Sequence, residues 1–301
     1  PLFRSLPDAL PISAAQARSF AMTGLSDAQR GWRLFIEVPV AFLPVTVHVG
    51  RASVRTRADR SGYIDVVVRD HGLEPGWHRI EAMGAHTVAA KVLIIPEGPR
   101  LGIISDIDDT AMVTHVPRVL VAAWNQLVKY SSAREPVPGM AELYSRIQAA
   151  HPGTPMMFLS TGAWNITPTL RRFLSRNGYP RGTFLLTDWG PTPDRWFRSG
   201  TNHKVESLRR LAEEFPQMKW ILVGDDGQRD PYIYNGFAVR YPDNVAAIVI
   251  RNLTVGETML ASGRVWSDYR AEQMMRSPLW IEATDGVTLS KKLRELGLID
   301  F

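Results

Sequence analysis

The chain has no cysteine among its 301 residues, which excludes disulfide staples, thiolate zinc sites and cysteine nucleophiles together. Histidine is scarce and scattered. The seven histidines form no His-x-His or His-x-x-x-His pair, so a histidine zinc site has no local nucleus. Any metal therefore falls to carboxylates, and oxygen donors suit magnesium. The sequence also lacks a run of the roughly 18–20 apolar residues that span a bilayer. It shows no basic region followed by an apolar core and a small-residue cleavage site near its start. With no initiator Met before Pro1, the N-terminus reads as trimmed, and the cytoplasm is the expected location. A strong charge of either sign is missing too. The formal net charge is +5 with Arg and Lys dispersed, which suits anionic ligands but concentrates no basic stripe in the sequence, so no nucleic-acid partner is expected.

What is present is ordinary globular material: 45% hydrophobic and 22% charged residues, over a length that fits two domains of roughly 100–200 residues each. Residues 1–30 mix Pro, Ser, Ala and Asp without periodicity and read as an arm. Over residues 31–98 the pattern is of short β-rich segments: Arg33–Val40, Val45–Val49, Tyr63–Val68, Trp77–Ile80 and Thr87–Ile95. Turn signals at Asp59–Gly62 and Glu74–Gly76 separate them, which predicts a small β-sandwich-like domain. From residue 99 to 301 short apolar runs alternate with helical candidates. The runs are Leu101–Ser105, Pro155–Ser160, Thr183–Thr187 and Lys219–Gly224; the helices are Gly139–Ala150, Thr167–Asn177 and Lys204–Phe215. Alternation of this kind predicts an α/β domain with a doubly wound, mainly parallel sheet.

Four short stretches at the ends of these runs carry chemistry. Ile104-Ser-Asp106-Ile-Asp108-Asp109-Thr110 follows the first. Residues two apart on an extended backbone share a face, so Asp106 and Asp108 can converge where open α/β sheets place their ligands. Two adjacent carboxylates repel unless a cation lies between them, and such a pair can divide labour between attack on phosphorus and proton transfer. Phe158-Leu-Ser160-Thr161-Gly162 ends the second run with a hydroxyl and a glycine suited to a phosphoryl oxygen; alone it reads equally as a helix cap. Lys204 opens a helical segment where it can neutralise phosphate, although a lone lysine is usually a solvated charge. Gly224-Asp225-Asp226-Gly-Gln-Arg-Asp230 ends the fourth run, with carboxylates able to complete a magnesium site and a glycine expected to permit a tight turn.

The order of these stretches is more informative than any one of them. Asp-x-Asp-x-Thr, strand-Ser/Thr, Lys and strand-Gly-Asp-Asp is the motif order of the haloacid dehalogenase (HAD) phosphohydrolases. With Pro138-Gly-Met, His203-Lys204, Gly224 to Tyr234 and Ile250-Arg251, residues 101–252 resemble the catalytic domain of the actin-patch-protein type of phosphatidate phosphatase. The resemblance implies a HAD-like fold and magnesium-dependent hydrolysis of phosphatidate through an aspartyl-phosphate. It implies Asp106 as nucleophile and Asp108 as acid and base, with Ser160 and Lys204 holding the phosphoryl group. Thr110, Thr161 and Gly162 fall near the substrate, and Asp106, Asp108, Asp225, Asp226 and Asp230 around the metal. Asp226 departs from the hydroxyl residue found in many relatives, leaving open which of Asp225 and Asp226 touches the metal.

The substrate is less defined. His115–Tyr130 is apolar and helical in pattern, and an insertion at this point of the superfamily can cap the site; a helix packed on the sheet is the expectation. Trp164, Trp189, Trp196 and Phe197, with Arg195 and Arg198, fall in loops near the motifs, as pocket lining or as packing. A phosphorylated lipid with peripheral membrane contact is the leading expectation. The alternatives are a soluble phosphomonoester or a non-catalytic phospholipid-binding module. A receiver domain is disfavoured, because its acidic pair precedes the phosphorylated Asp.

Overall fold

The computed structural model describes residues 3–4, 40–60, 62–98, 100–113, 135–187, 200–227, 229–254, 256–257 and 279–299. The expected arm, the strand at Arg33–Val40, the segment His115–Tyr130 and the aromatic loop around Trp189–Arg198 fall almost wholly outside these residues.

The N-terminal third contributes β1 (Phe3–Arg4), β2 (Pro44–Val49), β3 (Ala52–Arg57), β4 (Val67–Val68), β5 (Gly76–Met83) and β6 (Thr87–Ile94). Strands β3-β2-β5-β6 form an antiparallel sheet, and β1 pairs with β4 as a separate antiparallel ribbon. The alternation in Pro-Val-Thr-Val-His-Val sends Val45, Val47 and Val49 to one face, where they join Ile80, Val92, Ala58, Ile64 and Val68 in a core. A half-buried antiparallel sheet requires this pattern. Strand β3 escapes a periodicity reading because its outward residues are Ser53, Arg55 and Arg57 and, of its inward ones, Ala52, Val54 and Thr56, only Val54 is a sizeable apolar side chain. Conversely, Tyr63–Val68 is strand only at Val67–Val68. Tyr63 leaves the sheet to pack against Trp164, ring centroids 6.1 Å apart.

The rest of the chain supplies β7 (Arg100–Ser105), α1 (Met140–Ala150), β8 (Met156–Ala163), α2 (Thr167–Arg176), β9 (Thr183–Thr187), α3 (Gly200–Glu214), β10 (Met218–Asp225), α4 (Asp230–Arg240), β11 (Val245–Arg251), β12 (Trp280–Ala283) and α5 (Gly286–Glu295). All six strands are parallel, in the order β12-β11-β10-β7-β8-β9. Successive residues point to opposite faces: Ile103, Ile221 and Val223 meet α1, α2 and α5, while Ile104, Trp220 and Leu222 meet α3 and α4. Burial on both faces explains why these strands read as continuous apolar runs. The chain enters at β7, winds outward through β8 and β9, then returns to the other side of β7 with β10. Strand order therefore reverses beside β7, and a crevice opens at the carboxyl end of such a strand. Strands β11 and β12 with α4 and α5 complete the unit beyond the elements expected. The link between β6 and β7 is short, and Arg181 lies over the Trp77 ring (4.3 Å) while Arg210 bonds Asp65 (3.2 Å). These contacts tie the N-terminal β-rich part to the loop before β9 and to α3.

Candidate active site

At the carboxyl end of β7 the backbone turns directly out of the sheet. Asp106 still donates its N–H to Val223 O (2.9 Å), as a strand residue would. Ala111 and Met112 then donate back to Ile107 O (2.9 and 3.0 Å), closing a tight loop. Within it Asp109 takes a left-handed conformation, φ 58°. Aspartate tolerates this region better than most residues, and such strain is characteristic of ligand-binding loops. The loop is clamped from β11: Arg251, 3% exposed, donates to Asp109 O (2.8 Å), Thr284 O (3.1 Å) and Glu257 (2.6 Å).

The turn buries Asp106, 1% exposed, beside side chains from three other elements. Lys204 from α3 donates to Asp106 Oδ1 (2.8 Å) and to Asp230 Oδ1 (2.6 Å). Asp230 occupies the first position of α4, where the helix dipole favours a carboxylate. Asp225, the last residue of β10, has one oxygen on the Gly227 N–H (2.8 Å). Oxygens of Asp106, Asp225 and Asp230 lie within 4.8 Å of one another. Helix α3 begins four residues before the expected position, so Lys204 lies in its second turn, buried rather than solvated.

Three buried carboxyl groups face one ammonium, so full ionisation would leave two negative charges in excess. Burial is the largest influence on Asp106 and pushes its carboxyl well above the usual range; Lys204 opposes this, and Asp230 and Asp108 add repulsion. Asp225 is likewise pushed well up by burial, then by Asp230 and Asp106. Burial alone would lower Lys204, but the two carboxylates it bonds outweigh that and raise it. The lysine is therefore charged, and the carboxylates want a further cation. The second oxygens of all three, Asp106 Oδ2, Asp225 Oδ2 and Asp230 Oδ2, are buried with no hydrogen-bond partner. An all-oxygen set of three carboxyl groups, each with an orphaned buried oxygen and only one cation among them, fits a divalent hard cation such as magnesium.

The other expected residues are placed as follows. Asp108 is half-buried, and its Oδ2 accepts a long bond from Ser160 Oγ (3.3 Å). Ser160 is not a helix cap: β8 continues to Ala163, and α2 is preceded by Ile166 with no side-chain cap. Its Oγ accepts the Gly162 N–H (3.0 Å), while Thr187 Oγ1 donates to Thr161 O (2.9 Å) and Gly162 O (3.1 Å). Thr110 is fully buried with its hydroxyl unpartnered. Asp226 lies outside the carboxylate cluster. It accepts the Leu253 N–H (2.8 Å) and donates its own N–H to Arg251 O (3.0 Å), so of the adjacent pair Asp225 is the one that faces Asp106. Trp164 is core, 8% exposed.

Gly224 serves a different purpose from the one expected. Its φ is not positive; what matters is space, since a Cβ there would lie 2.6 Å from Asp230 Oδ2 and 2.8 Å from the Tyr234 ring. Gly224→Ala therefore displaces Asp230, and we expect a loss of about 1–3 kcal/mol in stability from overpacking. Any chemistry that uses Asp230 should fall by roughly 100-fold with that displacement. Thermal unfolding and turnover measure the two, and an active, fully stable variant would show that the crowding relaxes freely.

Sequence reasoning missed the supports beneath the site. Tyr144 on α1 shares a hydrogen bond with Ser105 Oγ (2.6 Å), which donates to Asp106 O (2.6 Å). Tyr234 on α4 donates to Val223 O (3.1 Å). Burial raises both phenols, so they act as neutral donors. Tyr234 falls within the Gly224–Tyr234 stretch, but nothing local marks either helical tyrosine as a support rather than core.

The comparisons with known proteins converge on the same half of the chain. The family described as phosphatidate phosphatase APP1, catalytic domain, matches residues 101–252. A stretch of 151 residues, 50% of this chain, is 26% identical to phosphatidate phosphatase APP1 of Saccharomyces cerevisiae. A stretch of 157 residues, 51% of this chain, is 27% identical to an uncharacterized protein of Schizosaccharomyces pombe. The matched part spans about a quarter of each yeast protein, 26% and 25% of their lengths. Among solved structures, an uncharacterized protein from Listeria monocytogenes serotype 4b aligns over 66% of this chain and 99% of its own. Its TM-score is 0.42 at 16% identity, too distant to define a shared fold.

Proposed function

The chain belongs to the family of the phosphatidate phosphatase APP1 catalytic domain, and from that premise we propose that it is a magnesium-dependent phosphatase hydrolysing phosphatidate to diacylglycerol and phosphate. The observation that carries the reading is the buried cluster of Asp106, Asp225, Asp230 and Lys204 at the point where the strand order reverses.

Asp106 would attack phosphorus in line, breaking the bond to the glycerol oxygen and taking the phosphoryl group as an aspartyl-phosphate. The backbone bond to Val223 and the Ser105–Tyr144 pair hold that residue, and Lys204 directs its Oδ1. Asp108, nearer solvent and beside Ser160, would give its proton to the departing alkoxide, then take one from the water that hydrolyses the acyl phosphate. Ser160, with Thr161 and Gly162 fixed by Thr187, would bind the phosphoryl oxygens, and Lys204 would offset their charge; positioning and charge neutralisation dominate phosphoryl transfer. Asp106, Asp225 and Asp230 would hold magnesium, which when bound supplies electrophilic stabilisation of the charge that builds on the phosphoryl oxygens. A HAD-like fold, a boundary at residues 98–99 between a β-rich unit and the catalytic unit, and a cytoplasmic protein peripheral at membranes belong to the same proposal. Among the described residues no helix is long and apolar enough to cross a membrane.

The test is phosphate release from phosphatidate in mixed micelles and from soluble phosphomonoesters, with magnesium or with chelator. Magnesium-dependent release from phosphatidate that varies with its surface concentration supports the proposal. Release from soluble esters alone retains the mechanism and rejects the lipid. No release, with magnesium and phosphatidate both bound, favours a binding module.

A pH prediction follows from the raised carboxyls. Asp106 and Asp225 hold protons more readily in the folded chain than at their usual value of 3.8. Their stabilising contribution is thus present below that value and lost as pH rises through the higher folded-state pKa. Magnesium competes with those protons, so in thermal unfolding the stabilisation by magnesium should grow from acid to neutral pH. It should reach about 2.7 kcal/mol when magnesium is 100-fold above its dissociation constant. A magnesium increment that is flat or falls with pH would place the ion elsewhere.

A further inference from the structure

We propose that the outward face of the antiparallel sheet β3-β2-β5-β6 is a docking surface for an anionic lipid membrane. One face of this sheet is committed to its core through Val45, Val47 and Val49, so the alternate residues of every strand project the other way, Trp77 at the start of β5 lying under Arg181. Strand register then decides which of them are neighbours. Arg57 and Arg55 stand opposite Pro44 and Thr46, and Arg79 stands directly opposite Lys91. All four basic residues are exposed.

A directly opposed pair of like charges destabilises a sheet. Arg79 is partly answered by Glu81 at 3.7 Å, an exposed contact of little energetic weight. Arg55 and Lys91 have no acidic partner among the described residues. Protection of a sheet edge accounts for arginines on β3 but not for Arg79, which lies on an interior strand. A face that keeps such repulsion when isolated is complementary to a surface of opposite charge.

The same end of the sheet presents apolar side chains to water. Phe42 is 59% exposed and Met83 46% exposed. Phe42 stands at a left-handed turn, φ 57°, fixed by its N–H on Asp59 O (3.2 Å) and its carbonyl on Arg57 (3.5 Å). The turn after β5 lies alongside, since a Cβ on Gly84 would sit 3.2 Å from Leu43. A basic face with an apolar tip on a held loop matches the two layers of a lipid surface, headgroup charge and acyl boundary. A nucleic acid would use the charge and leave the apolar tip unmatched.

The experiment is co-sedimentation of the full chain with vesicles of phosphatidylcholine alone or with added phosphatidylserine. Neither lipid is a phosphomonoester, so the result stands or falls independently of the phosphatase reading. We expect binding to the serine-containing vesicles at about 0.1 M salt and its loss at about 1 M, where screening shortens the Debye length to about 3 Å. The triple variant Arg55→Gln, Arg79→Gln, Lys91→Gln should bind about a hundredfold more weakly, roughly fivefold per charge. Its melting temperature should be unchanged or higher, because the Arg79–Lys91 repulsion is gone; if the triple variant fails to fold, the single Lys91→Gln with its fivefold loss serves instead. Phe42→Ser with Met83→Ser should leave weaker binding that is wholly salt-sensitive. Equal binding to both vesicle types, no binding, wild-type binding by the charge variants, or binding to a duplex oligonucleotide in place of vesicles would overturn the proposal.

Discussion

Asp106→Asn should abolish phosphate release while leaving a folded protein that, without metal, melts at or above the wild-type temperature. The two halves of this result have one cause. An amide keeps the shape of the side chain and can still accept the Lys204 N–H, so the local hydrogen bonding survives. It could not take the nucleophile's part proposed for Asp106, however, and removal of a nucleophile costs roughly four to six orders of magnitude in turnover. The substitution also removes a buried ionisable carboxyl, at a position where burial and the neighbouring carboxylates already disfavour the charged form. Relief of that repulsion stabilises the metal-free state, while magnesium, deprived of a ligand charge, stabilises the variant less than it does the wild type. Phosphate release with thermal unfolding in chelator and in magnesium reads both. Activity within tenfold of wild type would remove Asp106 from the nucleophile's role.

Lys204→Met is expected to act in the opposite direction on stability. The ammonium lies between Asp106 and Asp230, all three side chains at most 2% exposed. Taking away one partner of a buried ion pair costs about 3–5 kcal/mol, because the remaining charges are neither solvated nor paired. Here two carboxylates are stranded, and for a chain of this size the loss should lower the melting temperature by roughly 6–20 °C in chelator. Magnesium should return part of it. Arginine is no remedy, since its planar fork needs more room than a compact ammonium in so closed a site. Turnover should fall by about a thousandfold even where the variant is folded, since the charge proposed to offset the phosphoryl group is gone. A Lys204→Met protein as stable as wild type in chelator would show that the carboxylates are already protonated, and that the lysine does not hold the cluster together.

Much of this site was legible in the sequence, for a physical reason. Parallel strands buried on both faces must be apolar throughout, so Leu101–Ser105 and Lys219–Gly224 stand out against their surroundings, and polar residues at their ends mark the crevice. The antiparallel sheet was read less well. Strand β3 hides its alternation behind Arg55 and Arg57, and Tyr63 has a strand-forming side chain that goes to tertiary packing against Trp164. The supporting roles of Tyr144, Tyr234 and Thr187 are not legible, because what distinguishes them is a hydroxyl meeting a distant backbone or side-chain oxygen.

By itself the sequence determined the chemical inventory and its order along the chain: no thiols, dispersed imidazoles, and carboxylates, a serine and a lysine at the ends of apolar runs. These are local properties, set by composition and period. Only the tertiary structure decided which carboxylates meet. Asp225 and Asp226 are equivalent in any one-dimensional reading, yet successive residues leaving a strand point to opposite sides, and one joins Asp106 while the other bonds the backbone of Leu253. Lys204 reaches Asp106 across 98 residues of chain. What brings them together is the reversal of strand order at β7, and what gives the lysine its weight is burial, where a charge that water would screen on a surface becomes the counterion of a closed cluster.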